Sequence, residues 1–216
     1  MTFADLSTGK ENKEYNLKEG FNYCWPTPIL KKKIQDNTLL EKVTNHILLN
    51  YTDKKRSFNL NINLFEDEFF EEFKQKEVIP VFEEYLKKDL DINLKEENYV
   101  LKAWLTGSAI SYEDGIAMPK HNHSDSHISA IFYLLSEEKD LGGSLVICDP
   151  RFNANRGYHV NLKFKKMFDS QRLLPNTGDI LVFPSFTYHS VDLYYGKLRL
   201  AMPVDLFLYD SNDKHE

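Results

Sequence analysis

The sequence predicts a mainly β domain, a jelly roll or β-sandwich, preceded by a helical region packed on one outer face. Two observations predict it. Helical spacing gives way near Asn98 to short runs rich in β-branched, aliphatic and aromatic residues, and turn material separates those runs. At 216 residues with 42% hydrophobic side chains, the chain suffices for one sizeable core, so a single domain over 1–216 is expected.

Residues Met1 to Gly20 are polar and charged, carry little hydrophobic pattern, and are expected to be poorly ordered. They lack the apolar stretch of a secretory signal. Residues 21–97 read as a helical support region. A short extended segment, Thr27 to Ile34, leads into a helix from about Asn37 to Asn50, with Leu39, Leu40, Val43, Ile47 and Leu48 at helical spacing and Asp36 or Asn37 as cap. Glu66 to Leu90 reads as two helical pieces, the first carrying Phe69, Phe70 and Phe73, the second Val78, Ile79, Phe82, Tyr85 and Leu86. Pro80 marks a helix start or a kink. The aromatics form a core-facing stripe.

Residues 98–210 form the expected jelly-roll core. Its strands are Tyr99 to Leu105, Ile128 to Leu135, Ser144 to Cys148, Tyr158 to Phe164, Asp179 to Phe183, His189 to Tyr194 and Leu198 to Leu208, with turns such as Gly142-Gly143 and Pro175-Asn176-Thr177-Gly178 between them.

The formal net charge of −6 disfavours a generic nucleic-acid binder, and no apolar run is long enough to span a bilayer. Neither nucleic acid nor membrane is expected as a partner. Cys24 and Cys148 make no disulfide scaffold and have no metal-binding spacing to each other. A soluble, cytoplasmic protein is expected. Lysines number 22 and arginines five, so each arginine invites the question of what needs its planar fork.

Three of the seven histidines fall within His121-Asn122-His123-Ser124-Asp125-Ser126-His127. If this segment stays extended, residues 121, 123, 125 and 127 share a face, and two imidazoles, or an imidazole and a carboxylate, can grip one metal ion. Downstream, a buried strand delivers His189, and Arg199 follows ten residues on. A three-residue hairpin loop at Tyr194-Tyr195-Gly196 would set Arg199 opposite Val191, on the face of His189; a two-residue loop would turn it away. An inward arginine needs an anion, either a protein carboxylate or a ligand carboxylate.

These segments resemble the iron(II)- and 2-oxoglutarate-dependent oxygenases, and more narrowly the group called putative 2OG-Fe(II) oxygenases, relatives of the prolyl hydroxylases. The resemblance is carried by His121-Asn122-His123, Ile128 to Leu134, Phe183-Pro184-Ser185 with His189, Arg199, and the early Trp25-Pro26-Thr27-Pro28-Ile29. Ala130 and Ala201 depart from the group's usual glycine and serine. The resemblance implies a double-stranded β-helix that binds Fe(II), 2-oxoglutarate as small-molecule cosubstrate and O2, and hydroxylates a peptide or small molecule. The wider superfamily's two histidines and one carboxylate correspond to His123, Asp125 and His189. The narrower group's His-x-His pattern, six residues before a serine, corresponds to His121, His123 and His189. Arg199 and Tyr133 would bind the distal carboxylate of 2-oxoglutarate, with Ser129 and Trp104 as further cavity residues. His127 reads as a supporting or surface residue, and rim loops at Ser108 to Pro119 and Phe152 to Tyr158 would set specificity. Two competing readings stand beside this one: a cupin-type metalloprotein, from Gly115 followed by His121-x-His123 with His127, and a non-catalytic jelly-roll binding module.

Overall fold

The structure, a computed structural model, describes residues 27–51, 57–60, 63–108, 116–136, 141–150, 170–196 and 198–209, with backbone alone for 57–60, 89, 105–108 and 116. Within these, the elements are β1 (Leu30–Lys33), α1 (Asn37–Asn50), β2 (Ser57–Leu60), α2 (Glu71–Phe73), α3 (Ile79–Tyr85), β3 (Asn98–Ala103), β4 (Leu105–Ser108), β5 (Ile116–His121), β6 (Ile128–Leu135), β7 (Leu145–Ile147), β8 (Gln171–Leu173), β9 (Asp179–Pro184), β10 (His189–Tyr194) and β11 (Arg199–Tyr209). None of the described helices is long and apolar enough to cross a membrane.

Helix α1 starts where Asp36, in extended conformation, accepts the backbone N–H of Leu39 at 2.9 Å, satisfying a donor the helix itself leaves open. The two expected helical pieces of Glu66 to Leu90 are joined. A wide π turn over Lys74–Val78 lets the Ile79 N–H reach the Lys74 carbonyl, and α3 follows directly with Pro80 as its second residue, so the backbone widens where proline has no N–H to give.

Antiparallel pairing builds two sheets. The large one runs β1-β9-β6-β11-β4-β2, with β3 also pairing β11; the small one runs β5-β10-β7-β8. The expected strand Tyr99 to Leu105 is split at Trp104, whose N–H donates to the Pro203 carbonyl at 2.8 Å, so β3 and β4 lie end to end along β11. The support region also contributes strands, because β1 pairs β9 and β2 pairs β4. Strands β2, β5 and β8 were not anticipated. Pro119 in β5 argues against a central strand, and β5 is an edge. The expected strand Tyr158 to Phe164 lies outside the described residues.

The large sheet is buried on both faces. Ile128, Ala130, Phe132 and Leu134 of β6, Ile180 and Val182 of β9, and Leu200, Met202, Val204 and Leu206 of β11 share one core with Leu39, Leu40, Val43 and Ile47 of α1 and Phe73 of α2. The alternate residues Ile131, Tyr133, Leu181, Phe183 and Ala201 form a second core with Leu145 and Ile147 of the small sheet. The two-residue period therefore directs Ser129, Arg199 and Asp205 toward the small sheet.

The hairpin expected between β10 and β11 does not form. Both edges of β10 are taken by β5 and β7, and β11 pairs β6 on one side and β3 and β4 on the other. The connection after Tyr194 instead crosses from the small sheet to the large one, as a jelly roll requires. Arg199 still points inward, for a different reason than the proposed register: its parity on β11.

Phe132 is fully buried and meets the edge of Phe73 at a centroid distance of 5.6 Å. Phe132→Ala is expected to lower unfolding free energy by about 3–5 kcal/mol, measured by urea denaturation.

Candidate metal centre

His121 closes β5, His189 opens β10, and the two are directly opposed across the antiparallel pair. Opposed residues point to one side, and the ring centroids lie 4.3 Å apart. Beyond His121 the chain leaves the strand. The His123 N–H then donates to the Ser185 carbonyl at 3.0 Å, and the His123 ring lies 5.4 Å from His121 and 5.2 Å from His189. One ring nitrogen from each histidine lies within 4.8 Å of the other two.

The second nitrogen of each ring is engaged. His121 Nδ1 donates to the Pro119 carbonyl at 2.7 Å and His189 Nδ1 to the Thr187 carbonyl at 3.0 Å, each two residues upstream. His123 Nδ1 donates to the Asp205 carboxylate, at 2.7 Å from Oδ1 and 2.9 Å from Oδ2. Carbonyls and carboxylates only accept, so Nδ1 carries a proton in all three rings, and in the neutral ring Nε2 is the nitrogen left with a lone pair. This donor set fits a first-row divalent metal such as iron(II).

Asp205 is 5% exposed. Burial opposes its charge, but hydrogen bonds from His123, Ser129 (Oγ, 2.6 Å) and Trp104 (Nε1, 3.0 Å) outweigh burial and hold its carboxyl below the usual range. Ser129 also bonds Ser185 at 2.8 Å. Ser129 and Trp104, expected to line a cavity, thus serve to hold a carboxylate that sequence reasoning missed. A signal was present: Asp205 is a lone acid within an apolar strand, at even spacing from Arg199.

Asp125 stands apart. The chain turns at Ser124 and Asp125, which breaks the extended face; Asp125 is exposed and accepts from Ser124 Oγ at 3.3 Å. His127 is also exposed, and its Nδ1 accepts the Leu208 N–H at 3.1 Å, away from the three-histidine cluster. His46, which lacked an evident partner in the sequence, bonds Asp67 at 3.0 Å and stacks on Phe69 at 3.6 Å. His159, His215, Cys24, Trp25, Gly115 and the rim residues 109–115 and 151–158 lie outside the described residues.

Arg199 is buried, and a guanidinium N–H donates to the Gly143 carbonyl at 2.7 Å. Its guanidinium faces the rings of Tyr133 and Tyr194 at 5.4 and 5.3 Å. Gly143 has φ +77°, and a Cβ there would come within 2.1 Å of the guanidinium, so a side chain at 143 would displace Arg199. Among the described residues, no carboxylate forms an ion pair with Arg199. The Tyr133 hydroxyl is buried with no hydrogen-bond partner among them. Burial pushes its pKa up to about 12, against the opposing pull of Arg199, so it remains a donor at neutral pH.

The family model described as "Putative 2OG-Fe(II) oxygenase" matches residues 104–205, a span that opens at Trp104 and closes at Asp205. No curated protein matches the chain. Solved structures share the fold. A Pseudomonas putida prolyl-4-hydroxylase has a TM-score of 0.56 at 14% identity, covering 84% of this chain and 93% of that one. A Trichoplax adhaerens prolyl hydroxylase, in complex with a hypoxia inducible factor oxygen degradation domain peptide fragment, has 0.57 at 14% identity, covering 83% of each chain. The non-heme alpha ketoglutarate dependent epimerase SnoN from nogalamycin biosynthesis has 0.57 at 11% identity, covering 83% of this chain and 77% of that one. At such identities the likeness is one of fold. By class, the core is a jelly roll of the fold these oxygenases share, with a candidate metal site between its sheets. The similarity to the 2OG-Fe(II) oxygenase family model thus covers just under half of the chain.

His189 is 3% exposed, and its pKa is pushed down to about 4. Burial is the main cause; the Thr187 carbonyl opposes it, and His121 and His123 add to it. The unfolded chain, with an ordinary imidazole near pH 6.5, therefore takes up a proton before the folded one does. Stability of the metal-free protein is expected to be greatest above pH 6.5 and to fall as pH drops toward 4. Denaturation in chelator across that window checks it, with His189→Gln expected to flatten the slope.

Proposed function

We propose that this chain is an iron(II)- and 2-oxoglutarate-dependent oxygenase that hydroxylates a peptide side chain or a small molecule, with His121, His123 and His189 as metal ligands. The observation that carries the reading is a pair of unmet demands on one interior side of the large sheet. Three Nε2 lone pairs converge there, and a buried guanidinium lacks a carboxylate among the described residues.

When bound, iron(II) supplies oxygen activation coupled to decarboxylation of 2-oxoglutarate to succinate. The protein supplies placement. His121, His123 and His189 would hold the metal through their Nε2 atoms. The Arg199 fork suits the far carboxylate of the cosubstrate, and the Tyr133 hydroxyl has a proton to donate to the same group. Leu145, Ile147, Leu181 and Phe183 wall the interior and exclude water. Asp125, turned outward, has no role at the metal in this reading. A cupin-type reading gains nothing from His127, which stands away from the cluster.

Anaerobic iron(II) titration, with and without 2-oxoglutarate, tests the function. The chelate absorbance band is expected in the wild type. Metal binding without the band would favour a metalloprotein that does not use 2-oxoglutarate, and no metal binding at all would favour the binding module. His121→Ala is expected to lose far more metal than Asp125→Ala by metal analysis; the reverse ranking would restore the carboxylate ligand. Arg199→Lys keeps the charge but not the fork, and should weaken 2-oxoglutarate about ten- to a hundredfold with iron occupancy nearly unchanged.

A further inference from the structure

Two of the three histidines are oriented locally, each by a carbonyl two residues upstream. His123 is the exception. Its Nδ1 depends on a carboxylate 82 residues away in sequence. Resting on the metal reading above, we propose that Asp205 is a positioning residue that sets the tautomer of His123, and that Trp104 sets the orientation of the Asp205 side chain.

Oδ1 of Asp205 takes the Ser129 hydroxyl at 2.6 Å and His123 Nδ1 at 2.7 Å; Oδ2 takes the Trp104 indole N–H at 3.0 Å and His123 Nδ1 at 2.9 Å. An indole N–H only donates, whereas the serine hydroxyl can donate or accept. A carboxylate satisfies all of these partners in either orientation. An amide of the same shape does not. In Asp205→Asn the single oxygen must face Trp104, which turns the NH2 group toward Ser129 and His123. The amide nitrogen then stands at the shorter, 2.7 Å contact with Nδ1 and the remaining oxygen at the 2.9 Å one, so the balance shifts toward the tautomer with the proton on Nε2, which has no lone pair there for the metal.

The arrangement also relocates charge. A two-histidine, one-carboxylate site puts its anion on the metal; here the anion stands behind His123 and strengthens that imidazole as a donor.

Two measurements test this. In the metal-free wild type, two-bond proton–nitrogen correlation spectra of 15N-histidine-labelled protein should show His123 protonated at Nδ1. Protonation at Nε2 overturns the proposal, and this readout stands whether or not any variant folds. Anaerobic iron(II) titration then compares wild type, Asp205→Asn and Asp205→Asn/Trp104→Phe. The single variant should bind iron on the order of a hundredfold more weakly and show His123 protonated at Nε2. Removing the indole donor frees the amide to turn, so the double variant should return to the Nδ1 tautomer and recover about tenfold in affinity. A merely structural role predicts the opposite, since the double variant removes more packing. Wild-type affinity in Asp205→Asn, or no recovery in the double variant, overturns the proposal. A wild type that binds no iron overturns the metal reading instead.

Discussion

In β11, Leu200, Met202, Val204 and Leu206 share the core of the helices, and Arg199, Ala201 and Asp205 face the opposite side, because the large sheet is buried on both faces. Everything at the site depends on that parity. Ala201 enters the second core, Asp205 reaches His123 and Arg199 reaches the Gly143 carbonyl. A slip of one residue would place a guanidinium and a carboxylate among leucines and phenylalanines, each at a cost of several kcal/mol. The buried charged groups therefore also specify the register.

The same alternation shows how far the amino-acid sequence could be read. Strands β6 and β10 were anticipated to the residue, because runs of β-branched and aromatic side chains there end at abrupt turn signals. The histidines were legible by type and spacing. Their mutual placement was not, since it comes from the β5–β10 pairing, and β5 is disguised by its proline. The expected β10–β11 hairpin failed for a related reason. Loop length predicts pairing only where consecutive strands share a sheet, and a jelly roll sends them to different ones.

Asp125 and Asp205 illustrate opposite errors of a local view. Asp125 sits two residues from His123 in sequence, yet a turn carries it to solvent. Asp205 is distant in sequence and reaches His123 only because β11 runs beside β6 and past Trp104. Proximity along the chain therefore misled where proximity across the sheet decided.

The charges of the proposed centre close on themselves. Asp205 contributes one negative charge and Arg199 one positive, both buried, and three imidazoles holding a metal would be neutral, with their protons on Nδ1. A divalent cation alone would leave two uncompensated positive charges in a dry interior, which is costly. In the proposed reading the dianion of 2-oxoglutarate would bring the sum to zero, with Arg199 available to its far carboxylate. Cation and dianion each relieve the penalty of burying the other, so their affinities are linked, and linkage is reciprocal. A carboxylate bound directly to the metal would give the same total. Set behind His123, it leaves the metal's own ligands neutral and gives the incoming dianion more of the compensating work.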